Sequence, residues 1–228
     1  MSGNCLARND WICSDYVTSR SDELLTATTQ HLEITVISVL VGLVVAFPLA
    51  LLVRRTRVLK GALLGATTVL YAIPSLALIP AMVPFTGLSL ATVVVPLILY
   101  SLVVLLRNIL AGLDAVPAAV LDAARGMGYG PGRLLWSVEL PLALPAIVAG
   151  VRIATVSTVA MATIGSLVGF GGLGNLLLQG QRSFFNAQVL TAAVAVVVLA
   201  LVLDLLLLAV QRALSPRRRA RTAVEVDA

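Results

Sequence analysis

Five stretches of this chain, 32–53, 61–83, 88–106, 141–168 and 188–210, run for about 18 residues or more with hardly a charged side chain. A helix needs roughly 20 apolar residues to cross the hydrocarbon core of a bilayer, so each stretch is long enough to span one. A water-soluble core is excluded as their destination. Of the 228 residues 59% are hydrophobic and only 12% are charged, with a mean hydropathy of +1.02, whereas soluble domains are about a quarter charged. Backbone polar groups cannot be left unpaired in hydrocarbon, and these Leu/Val/Ala runs lack the short alternation of a membrane barrel. The expectation is an all-α polytopic membrane protein with about five transmembrane helices.

Five crossings put the termini on opposite sides, and the basic residues choose which. The first and third loops and the tail, which share a side, hold twelve Lys and Arg residues, among them Arg54, Arg55, Arg57, Lys60, Arg107, Arg125, Arg133 and Arg212. The other side holds three, Arg8, Arg20 and Arg182. Positive charge is retained in the cytoplasm, so the N-terminus is expected outside and the C-terminus inside. Residues 1–30 then form an extracytoplasmic segment, 31–212 the membrane domain and 213–228 a basic cytoplasmic tail suited to anionic lipid headgroups. Topology accounts for the net charge of +5, with no nucleic-acid partner required. No apolar stretch in the first thirty residues is long enough for a signal peptide. Cys5 and Cys13 have no second pair to complete a metal site; they are free to form a disulfide. Pro48, Pro74, Pro80, Pro96 and Pro145 lie within or at the edges of the spans and are expected to bend or break them. Around Tyr71, Pro74 and Ser75 such a break marks either a pathway lining or a packing adjustment.

The third loop, 107–140, is longer than a connector needs. Its sequence predicts a short helix starting near Pro117 and stopping at Gly126 and Gly128, with a second helical stretch leading from Arg133 through Pro141 into the fourth span. Small side chains at Ala118, Ala119, Ala123 and Ala124 permit close approach of a soluble partner, and Asp122 and Arg125 can supply directional contacts. The residues alone fit an interfacial helix equally well.

Asp122, Ala123 and Ala124, then Gly128, then Val138, Leu140 and Pro141 resemble the signature loop of ABC-importer permeases. In that loop Glu-Ala-Ala is followed after three residues by Gly and after nine more by Ile-x-Leu-Pro. Both spacings are kept, with Asp for Glu and Val for Ile. The resemblance implies a coupling helix that docks into a separate ATP-binding subunit, which binds ATP and Mg²⁺. This chain carries no cofactor of its own under that reading and has no Walker-type phosphate loop. It further implies an extracytoplasmic substrate-binding protein and a second permease chain, identical or related. The segments QHLEITVISVLVGLVVAFPLALL, IPSLAL, ELPLALPAIVAGVRIATV and IGSLVGFGGLGNLL look most like the glycine betaine, carnitine and choline permeases, while methionine importers share parts of the pattern.

Within that resemblance Gly169, Gly171, Gly172 and Gly174 form an extracytoplasmic element, either a gate or docking face or simply a tight turn. Their formal dinucleotide pattern fails because no strand-helix-strand unit surrounds it. Arg152 and Asp204, charged and deep within spans, demand partners. Counted from the cytoplasmic ends at about 1.5 Å per residue they lie roughly 16 and 10 Å deep, so a pair joining the fourth and fifth helices is expected. A membrane anchor of an enzyme complex is the rival reading, but it leaves the loop spacing unexplained. Catalysis by this chain is disfavoured, because a single histidine, His31, and sparse intramembrane charge make no acid-base or metal constellation.

Overall fold

With no water to satisfy them, the peptide groups of an apolar run pair within the run, and the run becomes helix. The computed structural model describes residues 5–214, and every regular element among them is helical. A six-residue helix α1 (Ser14–Ser19) precedes α2 (Ser21–Val53), which begins well before the apolar run because helix outside the bilayer tolerates polar residues. Asp22 and Glu23 in the first turn of α2 suit its positive dipole end. Next come α3 (Arg57–Ala72), α4 (Ser75–Ala81), α5 (Val83–Thr86) and α6 (Leu90–Asp114). The remainder is α7 (Ala118–Gly126), α8 (Pro131–Leu134), a π-helical turn at Leu135–Glu139, α9 (Leu140–Ala162), a 3₁₀ turn at Thr163–Val168, α10 (Leu173–Arg182) and α11 (Asn186–Leu214). The arginine-rich tail from residue 215 onward lies outside the described residues.

Four helical stretches are long and apolar enough to cross a membrane alone, and α3 with α4–α5 is so only as a pair, bent by 89°, which is the geometry of a broken span or a re-entrant loop. The apolar run at 61–83 is therefore not one rod. Pro74 lacks an N–H and drives Ile73 into extended backbone (φ −70°, ψ 125°), which ends α3. Pro48, Pro80, Pro96 and Pro145 stand inside helices, and among the described residues the one sharp break is at Ile73–Pro74. A second difference concerns α6, which opens on a Ser89/Thr92 capping box and runs two turns past residue 106. Arg107 in that extension reaches back to donate to Thr68 Oγ1 at 2.6 Å, and Asn108 donates to the Val104 carbonyl, so polar side chains continue the helix into the headgroup region.

The bundle is built around α6, which packs on α2 and α9; α11 lies against α9 and α10. One core at the α7 end joins Ala46, Ala50, Leu105, Ile109, Ala143 and Ile147. A second, at the other end, joins Ile34, Ile79, Val93, Leu97 and Ala162. In lipid there is little hydrophobic drive between helices, so close contact of small residues does the work. Gly150 of α9 is the clearest case: a Cβ there would lie 2.8 Å from Cγ of Asn108 on α6. The outward side of α11, with Val194, Val197, Val198, Leu201 and Leu205 exposed, is apolar throughout and suits acyl chains. Cys5 and Cys13 are disulfide-bonded with 5.6 Å between their Cα atoms, closing a loop before α1.

Gly150→Val is expected to destabilise the bundle by about 1–3 kcal/mol through overpacking against Asn108, seen as a lower midpoint of thermal unfolding in detergent. Gly61→Ala, where nothing lies within 4 Å, is expected to leave that midpoint unchanged.

Candidate functional site

The loop between α6 and α9 folds into an exposed lever. Pro117 caps α7 in extended conformation (φ −62°, ψ 134°), and the helix ends where Gly128 turns left-handed (φ +82°), its N–H donating to the Arg125 carbonyl. Asp122 is exposed and paired with Arg125 at 2.9 Å. Ala118, Ala119 and Ala123 are exposed beside it, whereas Ala124 is only 2% exposed and forms the foot on which α7 rests. Leu140 packs into the core and Pro141 opens α9. The seven residues of the signature thus divide by role. Asp122, Ala123 and Gly128 lie at the surface; Ala124 and Leu140 seat the lever; and Val138 and Pro141 stand at its junction with α9.

Two ion pairs lock this end together. Arg54, at the end of α2, donates to Glu139 at 2.6 Å, with 20% and 10% of the two side chains exposed, and Lys60 pairs with Asp114. They border a cleft of about 570 Å³ lined by Arg55, Asp114, Arg125, Tyr129 and Glu139, among others. Sequence reasoning did not single out Glu139. The available signal was an acid two residues before Pro141, where the chain turns apolar.

At the opposite end the Gly-rich segment is tightly held. Gly172 has φ +55° and its α-carbon presses on α2, where a Cβ would lie 2.7 Å from the backbone nitrogen of His31. His31 is fully buried, with Nδ1 3.2 Å from the Gly171 carbonyl and Nε2 2.9 Å from the Val159 carbonyl. A neutral imidazole has one N–H, so it donates to one of these two. Asn175 braces the same turn, accepting from the Gly171 N–H and donating to the Gly169 carbonyl, both at 3.0 Å. Gly174 sits in the first turn of α10 against Thr163. His31, read from sequence only as a lone histidine, is therefore the hub joining α2, α9 and the glycine turn.

Pro74 and Ser75 begin α4 at the bend, and α4 packs on the 3₁₀ turn that leads to Gly169. The helix that follows the bend thereby touches the turn that precedes the glycine segment. Tyr71 and Tyr100 meet edge to face, 5.8 Å between centroids, and the Tyr100 hydroxyl donates to the Ile73 carbonyl at 2.6 Å. Between α9 and α11, with about a quarter of each side chain exposed, Arg152 and Asp204 are brought together in a bidentate pair, Nε to Oδ1 at 3.0 Å and Nη2 to Oδ2 at 2.8 Å. Arg152 also donates to Gln211, which in turn donates to the Pro145 carbonyl at 3.0 Å.

With this geometry in place, residues 38–220 match the family described as "Binding-protein-dependent transport system inner membrane component". The chain belongs to that family. It is 33% identical over 201 residues to the choline transport system permease protein of Bacillus subtilis, covering 88% of this chain and 93% of the relative. It is 35% identical over 207 residues to the osmoprotectant import permease protein of Salmonella typhimurium, covering 89% and 96%. Among solved structures it is similar to the MetNI methionine ABC transporter in inward-facing form, with a TM-score of 0.79, 26% identity, and 87% and 99% of the two chains covered. The chain is thus an inner-membrane permease subunit of an ABC transport system. Such subunits are not catalytic and work in a complex with ATP-binding and substrate-binding components.

Replacing Arg152 or Asp204 singly by Ala strands the other charge in the membrane. Each single variant is expected to lose most folded permease on size-exclusion chromatography, and the exchanged pair Arg152→Asp with Asp204→Arg to recover part of it. Equal loss in the exchanged variant would show that the pairing does not hold the two helices.

Proposed function

We propose that this permease forms the translocation pathway for quaternary-ammonium osmoprotectants of the glycine betaine, carnitine and choline kind. The observation that carries the reading is the similarity at 32–35% identity, over nearly nine tenths of the chain, to permeases named for choline, for glycine betaine/carnitine/choline and for osmoprotectant import. α7 is the coupling helix. Its exposed Asp122 and Ala123, with the Gly128 turn beside them, dock into a groove of an ATP-binding subunit, where ATP and Mg²⁺ are held. The buried foot Ala124 and the Arg54–Glu139 pair pass the movement into α2 and α9. Each chain presents one α7 while ATP is closed between two ATPase subunits, so two permease chains, identical or related, surround the pathway.

The N-terminus lies outside and the C-terminus in the cytoplasm. The distribution of Lys and Arg supports this, and so does the Cys5–Cys13 bond, because disulfides persist in oxidising compartments and not in cytosol. The glycine turn and its His31 hub then face the substrate-binding protein. Alternating access follows: delivered substrate enters from outside, closure of the ATPases opens the outward path, and hydrolysis resets it. Methionine import is the second reading, favoured by the structural similarity to a methionine transporter.

In vesicles holding the permease with its ATPase and substrate-binding partners, ATP-dependent uptake of labelled choline, carnitine or glycine betaine is expected. An Asp122→Ala/Gly128→Ala variant that still inserts is expected to lose about tenfold or more of that uptake, since Ala at a left-handed turn is strained and the directional contact is gone. Uptake of methionine alone would overturn the substrate and keep the mechanism.

A further inference from the structure

We infer that the disulfide-closed N-terminal loop is a lipid anchor, laying Trp11, Ile12 and Phe184 into the bilayer interface at the outer end of α11. The loop bounded by Cys5 and Cys13 does not stand free. Asn9, in left-handed backbone (φ 55°), donates through Nδ2 to the Phe184 carbonyl at 2.7 Å. It accepts from the Asn186 N–H at 2.8 Å through Oδ1, and from the Asn186 side chain at 3.0 Å through its own carbonyl. Cys5, Cys13 and Tyr16 pack on Phe185 and Ala187, with Tyr16 edge to face on Phe185 at 5.4 Å. The loop is thus fastened at several points to the turn between α10 and α11.

What this fastening presents is apolar. Ile12 is 85% exposed, Phe184 82% and Trp11 56%. Phe184 has φ 54°, a conformation an aromatic residue rarely adopts, and its carbonyl is held by Asn9 while its ring points away from the protein. The left-handed backbone is the closure of α10, with the Phe185 N–H donating to the Gly180 carbonyl at 2.8 Å, and it aims the ring outward.

The occupant follows from level and continuity. The apolar part of α11, 189–210, is ~33 Å long at 1.5 Å per residue, which fills a hydrocarbon core of about 30 Å and sets Phe184 and Asn186 at headgroup depth. The patch lies at the N-terminal end of α11, and none of the residues in the most apolar window of that helix is fully buried by the described residues. Tryptophan and phenylalanine with an isoleucine, beside the exposed Arg8–Asp10 pair, have the mixed character of an interfacial anchor. The disulfide fixes the loop in advance, so little ordering entropy opposes insertion.

The permease has two tryptophans, so Trp136→Phe leaves Trp11 as its only one, and the Trp11 signal is the difference between this complex and the same complex carrying Trp11→Phe as well. With this full-length variant, bound to its ATPase subunit, in phosphatidylethanolamine/phosphatidylglycerol vesicles, Trp11 emission is expected to be blue-shifted. Lipids spin-labelled near the headgroup are expected to quench it about twofold more than lipids labelled at the chain end, in line with insertion of about 5–10 Å. Aqueous iodide is expected to quench it several-fold less than free tryptophan. Adding Cys5→Ser/Cys13→Ser, or separately Phe184→Asp, is expected to red-shift the emission and restore iodide quenching while the complex still elutes intact. Full iodide quenching with no response to lipid labels overturns the anchor. Protection from iodide that appears only on adding the substrate-binding protein overturns it in favour of a protein docking face. Unchanged depth in both the cysteine and the Phe184 variants overturns the part assigned to the clasp.

Discussion

In hydrocarbon every carbonyl released by a break in a helix must find a donor, and the architecture of this permease depends on that constraint. At several points a side chain from another helix donates to such a backbone carbonyl. Tyr100 of α6 donates to the Ile73 carbonyl at the α3–α4 bend. His31 of α2 faces carbonyls at Val159 and Gly171, at the end of α9 and in the glycine turn. Gln211 of α11 reaches the Pro145 carbonyl, and Ser101 of α6 donates to the Ser38 carbonyl of α2 at 3.1 Å. Each of these bonds staples two segments at once, and those at Ile73 and Gly171 do so where regular helix has ended.

The two ends of the bundle use different physics. At the α7 end charge does the joining: Arg54 with Glu139, Lys60 with Asp114, and Arg125 with Asp122. The first of these is largely sheltered, whereas the last is open to solvent and free to exchange its partner for one on another subunit. At the other end backbone carbonyls, glycines and the amides of Asn175 and Asn9 do the joining, with no charged pair in the glycine turn among the described residues. A segment held by neutral hydrogen bonds and close backbone packing has few ways to deform gradually. It is better suited to switching between discrete arrangements.

Much of this was legible in the residue order because the bilayer imposes a simple code. Length of apolar run gave the helices, and depth arithmetic placed Arg152 opposite Asp204 before any coordinates. The short helix after Pro117 and its stop at Gly128 followed from capping rules. What could not be read is what depends on tertiary partners. Nothing local says that Pro74 breaks its helix while Pro48, Pro96 and Pro145 do not, because the difference lies in whether a neighbour such as Tyr100 donates to the freed carbonyl. Glu139 takes its meaning from Arg54, 85 residues away, which no local pattern announces. His31 looked inert because its two acceptors are carbonyls, which no side-chain motif announces.

These contacts also define how a movement at α7 can travel. α7 touches the membrane domain through α8 and the π-helical turn, and that turn runs without a break into α9. α9 in turn is tied laterally to α11 by Arg152 and Asp204, to α6 by the Gly150–Asn108 contact, and at its far end to α2 by His31. A displacement of the foot at Ala124 therefore has a stiff route along α9, and it arrives at the Val159 carbonyl and the 3₁₀ turn that leads into Gly169. The bend at Ile73–Pro74 joins the same route from the side, since α4 rests on that 3₁₀ turn. The glycine turn is the first place on the route where the backbone leaves the helical region, with φ +85° at Gly169 and +55° at Gly172, so rotation accumulated along a rigid helix can be released there. On this argument α9 is the mechanical member of the permease: its ends meet the two surfaces proposed for the partners, and its sides carry the packing that keeps it from bending between them.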